Sequence, residues 1–118
     1  MTQGEFILTL LHAATNTHIL HWQTKSFSEH MALGTFYEEL PDLIDTVVET
    51  TQGLTGQIIE FPQMYYHPAT TGLEELEELA EFVKENRDVM PQNSEIQNEI
   101  DNIATLIDQT LYKLRFLR

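Results

Sequence analysis

The sequence predicts an all-α protein, a four-helix bundle. Three observations carry this. Apolar residues recur at helical spacing along most of the chain. Breakers are scarce, with four prolines and five glycines in 118 residues. Hydrophobic residues make up 42%, enough to furnish a core for one domain spanning residues 1–118.

The first helix is expected from about residue 3 to 24, on Phe6, Leu10, Ala13, Ala14, Ile19 and Trp22. Lys25 and Ser26 begin a short turn, and Ser28, Glu29 and Met31 read as the start of the next helix. That second helix runs to about Gly56, with Met31, Phe36, Leu40, Leu43, Val47 and Leu54 marking its core face. Pro41 removes one backbone donor and crowds the preceding turn, so a kink is expected there and not a stop. Gly53 and Gly56 loosen the end.

The third helix is expected over 73–89, capped by Thr71 with Glu74 three residues on. Glu74, Glu75, Glu77 and Glu78 suit its positive end and read as a solvated face. The fourth is expected over 94–117, with Ser94 as cap and Gln97 as its reciprocal partner. Ile96, Ile100, Ile103, Ile107, Leu111 and Leu114 form an almost uninterrupted core stripe. Lys113, Arg115 and Arg118 complement the dipole at its end.

The link "QIIEFPQMYYHPATTG", residues 57–72, is long for a hairpin connection. The second helix is ~43 Å long at ~1.5 Å per residue. A link of this size reaches ~50 Å when extended. It can therefore run the length of the bundle, which predicts the ferritin-like topology with a long crossover between helices 2 and 3. A simple up-down bundle is the other arrangement. Phe61, Met64, Tyr65 and Tyr66 favour a link packed on the bundle.

The formal net charge of −13 repels nucleic-acid phosphates and attracts cations, or serves solubility alone. No nucleic-acid partner is expected. No apolar run nears the ~20 residues of a membrane span, and no signal-peptide pattern opens the chain. Without cysteine there is no disulfide and no thiolate metal site. A cytoplasmic location is expected.

The stretch "HILHWQTKSFSEH", residues 18–30, holds three of the five histidines. There is no Glu-x-x-His pair and no histidine on the fourth helix, so a di-iron centre inside one bundle is not expected. His21 and His30 flank the turn and fall at one height in an antiparallel pair. They are either metal ligands or polar residues satisfied by backbone or water. His18 reads as a surface or outer residue, and Trp22 as packing at the bundle end. His12 and His67 have no evident partner, and Asp42 reads as a solvated acid.

Asp45 and Glu49 are the nearest carboxylate pair on one helix face. Asp45 lies ~22 Å along the helix from His30, so one chain cannot gather all four residues. Two chains can. If two second helices pair antiparallel about a two-fold axis near residues 38–39, His21 and His30 of one chain meet Asp45 and Glu49 of the other. A homodimer or higher homo-oligomer is the partner this predicts, and iron or another divalent metal such as zinc is the ion.

The order His21-Trp22, Phe27, His30, Phe36, Leu40, Asp45, Glu49 resembles the Dps-type miniferritins over roughly residues 15–50. The resemblance implies a four-helix fold, an iron site across a dimer two-fold, and ferroxidase activity with peroxide or oxygen as oxidant. It implies that His21, His30, Asp45 and Glu49 bind the iron. The sequence departs from that family in a shorter turn, a shorter crossover, no basic N-terminal tail, and Gly34 where a third acidic ligand belongs. With that carboxylate missing, one metal per site is expected, because two close cations need bridging anions. Tyr37 could hydrogen-bond a ligand. The phrase "HWQTKSFSEHMALGTFYEELPDLID" also resembles small uncharacterised proteins of tailed phages. Two functions are therefore expected as alternatives: a metal-binding ferroxidase-type protein, or a non-catalytic dimeric interaction protein whose metal site is vestigial.

Overall fold

Thr2, Ser26 and Thr71 decide where three helices begin. Each hydroxyl accepts the backbone N–H three residues on, from Glu5, Glu29 and Glu74, and so satisfies a donor that the first helical turn leaves free. The computed structural model, which describes residues 1–118, has α1 at Gln3–Gln23, α2 at Phe27–Thr55, α3 at Gly72–Asn86 and α4 at Ser94–Phe116. A 3₁₀ turn, Arg87–Val89, closes the end of α3, where the sequence predicts continued α-helix. Pro41 lies inside α2, and the helix continues through it. α2 ends at Gly56, whose φ of 69° is the left-handed conformation glycine adopts without strain.

α4 begins differently from the sequence reading. Asn93 precedes it without a side-chain cap, and Ser94 is already helical. Gln97 is occupied elsewhere. Its amide donates to the Arg87 and Pro91 carbonyls and its Oε1 accepts from Arg87 Nε. Arg87 also pairs with Asp101 at 2.6 Å. This network ties the α3–α4 loop to the first turns of α4.

α1 packs on α2, α2 on α4, α4 on α3 and α3 on α1. The start of α3 sits beside the start of α2, because Glu29 Oε1 accepts the Gly72 N–H at 3.3 Å. The end of α4 is there too, through Arg115 and Glu77 at 3.3 Å. Residues 57–71 therefore traverse the bundle, whose longest dimension is 45 Å, and every neighbouring helix pair is antiparallel. This is the predicted long crossover between helices 2 and 3, the connectivity of ferritin-like bundles. No helix is long and apolar enough to cross a membrane.

The α4 stripe is buried at all six predicted positions, against Phe6, Leu10, Leu33, Phe36, Leu40 and Val47. Three expected packing residues lie outside. Trp22 is 67% exposed, Met31 54% and Leu54 45%. Met31 shares the outward stripe of α2 with Phe27 and Glu38, and Leu54 lies in the last turn of α2. The crossover packs on α1 in part through the aromatic residues the sequence suggests, the Tyr65 and Tyr66 rings meeting His12 edge-on at 5.2 and 5.4 Å. Ile59 is buried, whereas Phe61, Met64 and Tyr65 are exposed. Its anchors are polar and main-chain: the Tyr66 N–H donates to His12 Nδ1 and the Tyr66 carbonyl accepts from Asn16 Nδ2. At its start the crossover presses on Gly4, where a Cβ would run into the Glu60 carbonyl.

Candidate functional site

The three-residue turn Thr24–Ser26 brings His21, in the last turn of α1, against His30, in the first turn of α2. The two rings stack with centroids 3.6 Å apart and planes 17° from parallel. Each ring bonds the other residue's backbone. His30 Nδ1 lies 2.8 Å from the His21 carbonyl, and His21 Nδ1 bonds the His30 carbonyl. A carbonyl oxygen only accepts, so both Nδ1 atoms carry the proton and both donate. The His21 carbonyl belongs to the last turn of α1, which has no helical donor for it. His30 supplies that donor and caps α1. The pair is a reciprocal clasp between helix ends.

Gly34 is part of the clasp. A Cβ at residue 34 would approach His21 Cε1 to 3.1 Å and Nδ1 to 3.3 Å. The glycine where the resembling family has an acid is the wall on which the His21 ring rests. Other rings extend the group. His18 stacks on Tyr37 at 3.9 Å and 10°, and lies 4.1 Å from Trp22. Tyr37 meets His21 edge-on at 5.2 Å. His18 thus packs between helices as an aromatic partner, and Tyr37 is its stacking surface.

Asp45 and Glu49 are exposed on α2, on the outward stripe with Glu38 and Asp42. They stand ~22 and ~28 Å along the helix from His30. No three metal-ligating side chains come together within the protomer. The stacked rings are themselves a poor fit for one shared ion. An imidazole lone pair lies in its ring plane, and an ion sits ~2.0–2.1 Å from each nitrogen. Two nearly parallel planes 3.6 Å apart cannot both point at it. One ring must turn, and break its carbonyl bond, before both can ligate.

A second polar group lies between α1, α3 and the crossover. It comprises His12, Asn16, Tyr66 and Glu75. Residue patterns offer one clue to it, Asn16 falling between the core positions Ala13 and Leu20. His12, unassigned from sequence, accepts the Tyr66 N–H at 3.3 Å, and burial lowers its pKa. Of the four acids expected on a solvated face, Glu74, Glu77 and Glu78 are exposed but Glu75 is buried, because it points at α1. Burial raises the Glu75 pKa. Hydrogen bonding from the Asn16 side chain and the Ala69 backbone opposes this, and Glu78 adds to it. A carboxyl raised in the fold binds more protons folded than unfolded. Its contribution is intact below the unfolded pKa and is lost as pH rises through the folded value. Glu75→Gln is therefore expected to raise the melting temperature at pH 7, with the difference from the parent shrinking toward zero by pH 4. Thermal melts at the two pH values measure it.

Fold and clasp together define a small acidic helical-bundle protein in which two stacked imidazoles lock the turn between α1 and α2. The chain belongs to a family of unknown function, DUF5856, whose profile matches residues 21–114. The match runs from His21 through Glu49 to the core of α4. The chain is also similar to a phage protein, the "Uncharacterized 14.6 kDa protein in mobD-ri intergenic region" of Enterobacteria phage T4. The two are 30% identical over 112 residues, covering 93% of this chain and 85% of that protein. No solved structure matches. These likenesses support the resemblance to phage proteins and add nothing to the resemblance to miniferritins.

Proposed function

We propose that this is a non-catalytic helical-bundle protein of phage origin, made in the host cytoplasm, that acts through protein contacts as a homodimer. The observation that supports it is the exposure of Trp22, Phe27 and Met31 at one end of the bundle, 67, 77 and 54% exposed. Tryptophan, phenylalanine and methionine are enriched where proteins touch. Here they surround a clasp that fixes the helices beneath them. The clasp itself serves the fold, since both ring donors are spent on backbone carbonyls.

Sedimentation of the parent chain and of Trp22→Glu tests this. The parent is expected to sediment as a dimer. The variant is expected as a monomer with unchanged helix content, because a charge at a desolvated contact costs several kcal/mol, about a hundredfold or more in affinity. A parent that stays monomeric at every concentration overturns the homodimer.

One observation favours a second reading. Ligating imidazoles usually tie their other ring nitrogen to a carbonyl or carboxylate, as both rings do here, leaving Nε2 free. In that reading a dimer two-fold brings Asp45 and Glu49 of the partner subunit to His21 and His30, one ring turns out of the stack, and iron or zinc is held there. A ferroxidase activity would follow from iron. Saturable Fe²⁺ uptake that is lost in Asp45→Asn would support this reading, and its absence from the dimer would end it.

A further inference from the structure

We propose that the groove between α1 and α3 binds a small organic cation, its ammonium held by Asn16 Oδ1 and the Glu75 carboxylate and its aliphatic body lying along Ala13, Leu79 and Phe82. The groove has a volume of ≈ 360 Å³. Its walls are the α1 residues Thr9, Ala13 and Asn16 and the α3 residues Glu75, Leu79 and Phe82. The helices are antiparallel, so Asn16 faces Glu75 at one end and Thr9 faces Phe82 at the other. Seven residues separate these ends on each helix, about 10 Å. That length suits a chain of six carbons.

The polar end offers acceptors. Asn16 is 2% exposed. Its Nδ2 donates to the Tyr66 carbonyl and its side chain also hydrogen-bonds Glu75, while its Oδ1 has no partner. A buried acceptor without a donor is unusual and calls for one. Glu75 beside it is 8% exposed and has no cationic partner. Glu78 lines the same end. An ammonium brings three donors and a positive charge, which satisfies the amide oxygen and the carboxylate together. The far end, formed by Leu79, Phe82 and Thr9, whose hydroxyl already donates to the Glu5 carbonyl, holds no acid and favours a hydrocarbon over a second charge. The chain's net charge of −13 draws cations to the mouth.

Calorimetric titration of the full chain with n-hexylammonium, and separately with hexan-1-ol, tests the proposal. Hexylammonium is expected to bind one saturable site. Hexanol is expected to show none. Glu75→Gln, which should fold at least as stably as the parent, is expected to weaken hexylammonium about tenfold or more through loss of the charge-assisted bond. Glu38→Gln, which removes one charge from the outer face of α2, is expected to leave the affinity unchanged. Equal binding of hexanol, no saturable binding, an unchanged affinity in Glu75→Gln, or an equal loss in Glu38→Gln would each overturn it.

Discussion

Gly34→Asp is expected to destabilise the protein by about 2–4 kcal/mol and to leave metal affinity no higher than in the parent. Residue 34 is buried, and even a Cβ there lies 3.1 Å from the His21 ring. That ring is already stacked on His30 at 3.6 Å and cannot retreat along the stack. Overpacking costs about 1–3 kcal/mol, and a carboxylate without a donor in that contact adds to it. The helix gains little in return, since aspartate is only slightly better than glycine in a helix interior. Urea denaturation measures the loss, and Fe²⁺ titration of the same sample measures affinity. The substitution restores the acid found in the resembling iron-binding family. If the variant stays as stable as the parent and binds iron more tightly, the clasp is a metal site that lacked one ligand, and the structural account of Gly34 fails.

Gly4→Ala is expected to cost about 2–3 kcal/mol, roughly 10 °C in melting temperature for a chain of this size. The new methyl group meets the Glu60 carbonyl, a backbone atom that cannot rotate aside. The crossover must lift, or the first turn of α1 must shift. Hydrogen exchange distinguishes these from a uniform loss, because the Ile59 and Tyr66 amides should open first. Their acceptors, Gln52 and His12, belong to the helices the crossover lies on. Gly53→Ala is the matched control. A Cβ there meets nothing within 4 Å, so it should stabilise by about 1 kcal/mol through helix propensity alone. Equal effects at the two glycines would show that the crossover contact carries no strain.

The helices were legible in the sequence wherever one periodic pattern had one reading. The α4 stripe from Ile96 to Leu114 is buried throughout because nothing in it competes with burial. The crossover length also gave the topology, since a link that long has somewhere to go. Legibility ended where backbone atoms were the partners. His21 and His30 were found by their spacing, yet spacing cannot show that each ring bonds the other's carbonyl. Gly34 looked like a missing ligand, because an absent side chain is visible in sequence and the ring filling its space is not. Trp22 and Met31 read as packing residues because apolar residues usually point inward. Their position relative to the neighbouring helix sends them out. Glu75 sits among similar acids, and its i, i+4, i+7 spacing with Leu79 and Phe82 is the signal that separates it from Glu74.

The route of the crossover bears on how the chain finds its fold. The turn Thr24–Ser26 and the loop ending at Asn93 each join helices that touch, so α1–α2 and α3–α4 can close as local hairpins with little loss of loop entropy. The crossover spans the bundle but is held by few bonds, chiefly those of Ile59, Tyr66 and the Gly4 contact. It therefore acts as a tether that sets the effective concentration of one hairpin for the other. Docking of two preformed halves, with the tether seating last, is the folding order this architecture favours.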